Sequence, residues 1–420
     1  MSITYVEDNM AGKRRTAFTE YLEQIEKPLD DGAGFSAEEG NLSSKTPALG
    51  EVSSAGGRSS QRRVREASDA EDTKVAKILF ASKIRLSTKL IIVLSLLIIT
   101  VISFALGRFP ISPVELIQGV FNHFFRPDYV ASSPEATRID LVIFQIRLPR
   151  ILLVVLVGAG LAIAGASLQG MFKNPLVSPD LLGASAGASL GACLALLLSF
   201  PTWAVQICAF AGGLVAVGMA VWLNKAVRYD PILGLVLGGI LVSRLFEAGM
   251  AMIKFTADVR QKLPVITFFL MGSFSSVTNR DLMWVLAPFA LGFVLLLSQR
   301  WQLNVLSFGD EEARTLGVNT RRTRLLVIIA STMLTAISVA VAGIVGWIGL
   351  VIPHLARAIV GPNYKVLLPT SMLIGASYLL VVDNLARLIS TVEIPIGILT
   401  AILGVPFFVV IFRRNIRGWK

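Results

Sequence analysis

From Lys89 onward, long apolar runs alternate with short polar links. Most runs approach the ~20 residues a helix needs to cross a bilayer. They cover 89–106, 151–170, 181–200, 203–223, 232–253, 282–298, 325–345, 346–360, 366–386 and 396–412. This pattern predicts an all-α, polytopic membrane protein with about ten transmembrane helices. The eighth run is short and contains Pro353, which removes a helix donor, so a broken span is expected there. Residues 1–82, by contrast, are rich in Ser, Gly, Glu and Arg and hold no sustained apolar pattern. They bury too little surface to offset chain entropy and are expected to form a disordered extension ahead of a transmembrane domain at 83–420.

Composition supports the membrane reading, because 54% of the 420 residues are hydrophobic, which soluble domains rarely reach. Charge then divides the chain. Residues 1–82 carry a net −3 and the remainder +14, so the basic excess belongs to the membrane part and its links. No basic patch is interleaved with aromatics, and nucleic acid is not an expected partner. With the N-terminus in the cytoplasm, the links on that side hold 19 Lys and Arg against 10 on the other. That bias predicts that both termini are cytoplasmic.

Catalytic constellations are missing from the sequence. His123 and His354 have no Cys or carboxylate at ligand spacing, and Cys193 and Cys208 lie inside apolar runs. No metal or cofactor is expected. There is no GxxxxGK[ST] phosphate loop either, so any ATP-driven activity requires a second protein.

The link 303–324, LNVLSFGDEEARTLGVNTRRTR, is dense in charge. Gly309 and Asp310 supply a start signal and Gly317 a stop, predicting a short helix over 310–316. Asp310 and Glu311 lead it, and Ala313 and Leu316, three apart, are expected to share a face. The bracketing glycines would let it stand out from the membrane. Such a helix is either a solvated connector or a docking surface for a soluble partner.

Other charges sit where they are costly. Arg147 and Arg150 flank Pro149 just before the second run, and Arg387 ends the ninth on the same side. They are expected to project near the membrane surface, as snorkelling anchors or to capture an acidic partner. Arg244 and Glu247, inside the fifth run, are expected to pair on one face. They either neutralise each other or line a pathway or partner helix. Small-residue runs such as GAGLAIAGASLQG predict close helix packing. Ala164–Gly165 precedes Asn174–Pro175 at the offset at which Ala342–Gly343 precedes Ile352–Pro353. An inverted transporter repeat would give that spacing, which adds Asn174 and Pro175 to the pathway candidates.

RLPR at Arg147, LAIAGASLQGMFKNPLVSPDLLGASAGA at 161–188, the 303–318 link, AGIVGWIGLVIPHLAR at 342–357, VDNLAR and EIPIGILTAILGVPFF at 393–408 occur in that order. In combination they resemble the FecCD family, permease subunits of ABC importers for iron-siderophores, haem and vitamin B12, over about 89–414. The resemblance implies the type II ABC importer fold, in a prokaryotic cell membrane, paired with a second permease subunit, identical or paralogous. Cytoplasmic ATPases would dock on Gly309, Asp310, Glu311, Ala313, Leu316 and Gly317. An extracytoplasmic solute-binding protein would dock on Arg147, Arg150 and Arg387. The cargo implied first is a ferric siderophore, moved by alternating access, with haem or a corrinoid as the alternative. An ion-coupled secondary transporter is the competing class, and its titratable candidates are Arg244, Glu247 and Asp383.

Overall fold

A computed structural model describes residues 86–107, 109–226, 231–390 and 392–415. The expectation for residues 1–82 falls outside them. Every regular element among the described residues is helical. In chain order these are α1 (Leu86–Ala105), α2 (Pro113–Phe125), α3 (Pro127–Ser132), α4 (Pro134–Asp140), a π-helical stretch (Leu141–Arg147), α5 (Leu148–Phe172) and a 3-10 turn (Pro179–Leu182). There follow α6 (Ala184–Leu197), α7 (Thr202–Ala226), α8 (Pro231–Thr256), α9 (Lys262–Met271), α10 (Asn279–Ser298), α11 (Arg300–Leu306) and α12 (Asp310–Thr315). The last four are α13 (Thr320–Ala342), α14 (Ile348–Val360), α15 (Tyr364–Leu388) and α16 (Ile396–Asn415).

Each of the ten apolar runs holds a helix. Among the described residues seven helices are long and apolar enough to cross a membrane: α1, the stretch through α5, α7, α8, α10, α13 and α15. α6, α14 and the apolar part of α16 are shorter. α9 escaped the sequence pattern because its ten residues sit in a link that reads as polar at both ends.

α5 is the hub. It is buried along nearly its whole length and packs against α13, α14 and α15. Glycine makes this possible: a Cβ on Gly165 would overlap the Gly349 carbonyl, and one on Gly158 the Gly375 carbonyl. Between lipid-soluble helices close packing replaces hydrophobic drive, and only small side chains allow it.

The expected break in the eighth run is displaced. Pro353 lies inside the continuous α14. The break precedes it, at Gly343–Trp347, where Gly343 (φ +69°) and Trp347 (φ +71°) turn left-handed. One carbonyl freed there is answered across the fold, where Ser273 N–H donates to Ala342 O at 2.9 Å; beside it Ile396 N–H donates to Gly272 O at 2.9 Å, joining the end of α9 to the start of α16. Unpaired backbone groups are intolerable in a bilayer, so helix ends inside it need such partners.

The inverted repeat has no local counterpart. Gly165 is mid-helix in α5 while Gly343 ends α13. Asn174 and Pro175 form the turn that closes α5, with Asn174 Oδ1 accepting from Leu176 N–H at 2.9 Å, whereas Pro353 interrupts nothing.

Candidate functional site

Two charged sites lie at opposite ends of the bundle, called here the Arg150 end and the Asp310 end. α5 and α15 run between them in opposite directions, since Gly158 packs on Gly375 and Gly170 on Tyr364.

At the Arg150 end the chain enters α5 through a change of helical register. Leu148 N–H still donates five residues back, to Ile143 O. Pro149, having no N–H, fits the switch to the α pattern. The wide π turn and the first turn of α5 then aim Arg147 and Arg150 into the protein. Arg150 makes a fork with each of two carboxylates. Its Nη2 donates to Asp383 Oδ1 at 2.8 Å and its Nε to the same group at 3.1 Å. Its Nη1 and Nη2 donate to Glu393 Oε1 and Oε2, both at 3.0 Å. Asp383 is fully buried, and Arg387 Nε lies 3.2 Å from its other oxygen, within ion-pair range but not aligned for a hydrogen bond. Arg387 also donates to Asn384 Oδ1, and Asn384 Nδ2 to Ser103 Oγ at 2.7 Å in α1. Arg147 donates to the carbonyls of Phe104 and Phe109. The network thus joins α1, α5, α15 and the link to α16.

The structure therefore brings Arg147, Arg150 and Arg387 together but overturns the expectation that they project at the surface. All three are buried. The carboxylates that hold Arg150, Asp383 and Glu393, lie 233 and 243 positions from it, so spacing gave no signal of that pairing, whereas Asp383 and Arg387 are four apart on α15, a readable separation. Such charges persist in an interior only when paired and hydrogen-bonded.

The same end holds a cleft of about 480 Å³ between the ends of α6, α7, α9, α10 and α13. Its polar wall includes Gln206 and Asp281, joined at 2.7 Å. Asp281 is already committed to the capping box of α10, accepting from Thr278 N–H at 2.9 Å. Among the described residues no group of three His, Cys, Asp or Glu side chains is placed to hold a metal ion.

At the Asp310 end, the short helix forms as expected, with Gly309 as N-cap and Gly317 at φ +79°. Its faces differ from the expectation. Ala313 is fully buried, in a small cluster with Val305, Leu306 and Val318. Leu316 is 57% exposed, because the chain leaves the helix there and its side chain departs from the Ala313 face. Ala313 therefore anchors the helix, and the free face consists of Glu311, Glu312, Arg314 and Leu316. Glu312 and Arg314 were not among the sequence candidates. The anchor is fixed from both sides. Arg324 Nη2 donates to Asp310 Oδ1 at 2.8 Å. Below it, Asn304 bonds Asn363 Oδ1 at 3.0 Å and Tyr364 N–H at 2.8 Å, tying α11 to α15. The helix is a charged projection packed on α11 and bonded to α13, and α11 is in turn tied to α15.

Arg244 and Glu247 pair as expected, at 2.8 Å on α8, and both face outward from the subunit. Asn174 is exposed and serves its own turn.

The family model described as FecCD transport family matches residues 95–414. The molybdate import system permease protein MolB of Haemophilus influenzae is 40% identical over 329 residues, covering 77% of this chain and 95% of that relative. The Fe(3+)-citrate import system permease protein YfmE of Bacillus subtilis is 37% identical over 336 residues, covering 78% and 95%. A solved structure described as an inward-facing conformation of a metal-chelate type ABC transporter aligns with a TM-score of 0.68 at 40% identity, covering 77% of this chain and 97% of that one.

Proposed function

This chain belongs to the FecCD transport family and is a multi-pass permease subunit of an ABC importer, and we propose that it moves a ferric siderophore inward by alternating access. It is a transport subunit; hydrolysis of ATP falls to a separate ATPase. The observation that carries the mechanism is the anchored charged helix α12, raised at one end of an apolar bundle and tied into three long-range elements. Cytoplasmic ATPases dock on its free face, so that their closure pushes α11 and α15 together with it. On this reading the Asp310 end and both termini are cytoplasmic, and the excess of Lys and Arg on that side supports it. An extracytoplasmic solute-binding protein docks at the Arg150 end, and a second permease subunit completes the path.

Support for an iron chelate comes from the Fe(3+)-citrate relative; the solved structure supports a metal chelate without naming the metal. A second reading, molybdate, is favoured by the 40% identity to the molybdate permease. Haem or a corrinoid completes the set to be tested. The test is uptake of labelled ferric siderophores, ferric citrate, molybdate, haem and cobalamin in a strain lacking this chain. Loss of ferric siderophore uptake alone is expected. Loss of molybdate uptake alone moves the cargo to the second reading, and intact ATP-dependent uptake of all five overturns the assignment.

A further inference from the structure

α8 carries a seam that a lipid-facing helix would not. Leu237, Ile240, Arg244, Glu247, Ala251 and Lys254 follow in alternating steps of three and four, so they lie on one face, and all six are exposed. The side chains of Arg244 and Glu247 are 76% and 47% exposed and touch each other at 2.8 Å. Arg244 lies ten residues into the apolar stretch Gly234–Thr256, about 15 Å from its start at the helical rise per residue. That is the middle of a hydrocarbon core ~30 Å thick, too deep for the guanidinium to reach either interface. A charged pair there does not face acyl chains. The polarity is also one-sided. Toward the Asp310 end the seam is apolar, at Ile240 and Leu237. Toward the Arg150 end it reaches Lys254, and the turn beyond α8 adds Arg260 and Asp258, the latter accepting from the N–H groups of Arg260 and Gln261. The charges from Arg244 to Arg260 sum to +1, three cations against Glu247 and Asp258.

We propose that this half-seam walls a hydrated vestibule, open at the Arg150 end and reaching mid-membrane, in which Arg244 selects anionic cargo. Glu247 holds the guanidinium extended while the vestibule is empty and yields it to the negative oxygens of an entering chelate or oxyanion. Arg244 is thus a specificity-determining residue. The inference rests on the importer reading, and it narrows the cargo to anions.

The test needs no identified cargo. The full-length chain, carrying Ala251→Cys with Cys193→Ala and Cys208→Ala, is placed in proteoliposomes. It is treated at low salt with membrane-impermeant thiol reagents, one a sulfonate and one a quaternary ammonium. Cys at 251 is expected to react with both. Adding Arg244→Gln should lower the sulfonate-to-ammonium rate ratio by at least about fourfold, for a unit charge ~10 Å away even at the dielectric constant of water. Adding Glu247→Gln should raise it. A folded protein whose Cys at 251 reacts with neither reagent overturns the vestibule, and one that instead cross-links rapidly to a second copy marks a dry subunit seam. A reactive Cys with an unchanged ratio overturns the anion selection. The importer reading stands or falls separately, on ATP-dependent uptake by the unaltered chain.

Discussion

Asp383→Asn removes the charge that Arg150 and Arg387 share while keeping the side-chain shape. In the folded protein Asp383 is fully buried, accepts from Arg150 at 2.8 Å and lies 3.2 Å from Arg387 Nε. After the change two buried guanidiniums keep one carboxylate, Glu393, whose side chain is partly open to solvent. Breaking a buried ion pair by removing one partner costs about 3–5 kcal/mol, or two to nearly four decades in the folding equilibrium. Glu393→Gln should cost less, about 1–2 kcal/mol, because Arg150 retains its fork with Asp383 and water reaches the site. The assay is unfolding of the purified variants in mixed micelles, followed by helical signal and by monodispersity. The expected order is wild type, then Glu393→Gln, then Asp383→Asn. An Asp383→Asn protein within about 1 kcal/mol of wild type would refute the view that this network holds α1, α5 and α15 together.

The remaining predictions address other sites. Charge reversal at Arg147 and Arg387 should lower the yield of folded protein as well as uptake, because both are buried; normal yield with lost uptake would instead favour a surface docking role. Leu316→Asp, on the exposed face of α12, should change stability by no more than about 0.5 kcal/mol yet weaken coupling to the ATPase. Ala313→Asp should destabilise the 303–324 link by roughly 2–4 kcal/mol by placing an unpaired carboxylate among Val305, Leu306 and Val318. Coupling unchanged from wild type in both variants would remove α12 as the motor contact. Gly165→Val should cost at least about 1–3 kcal/mol, since its side chain meets the backbone of Gly349. Glu115, at the N-terminus of α2, is held below its ordinary 4.5 by the backbone and side chain of Ser112. Its depressed value adds stability to α2 that is present above 4.5 and lost as pH falls through the lower folded value. Protection of the α2 amides, relative to their intrinsic exchange rates, should fall over that range, and Glu115→Gln should abolish the dependence.

The architecture was legible in the apolar pattern alone. Apolar run length is a direct consequence of bilayer thickness, so all ten runs hold helices, and Gly309 and Gly317 punctuate α12 where their backbone freedom allows. Family membership was equally legible, because several motifs occur in a fixed order over most of the membrane part. Arg244 and Glu247 were readable too, since a separation of three is a contact on any helix. Short range is what these features have in common. Other matters were settled only by the tertiary structure. Pro353 does not break its helix; the break falls at left-handed Gly343 and Trp347, where Ser273, just past α9, donates to Ala342 O. Leu316 and Ala313 part company because the chain leaves α12 between them and Val305 packs against only one. Above all, Arg150 turns inward to Asp383 and Glu393, more than 230 positions away. The sense of a charge, inward anchor or outward contact, depends on which helices pack beside it, and that is a property of the folded bundle.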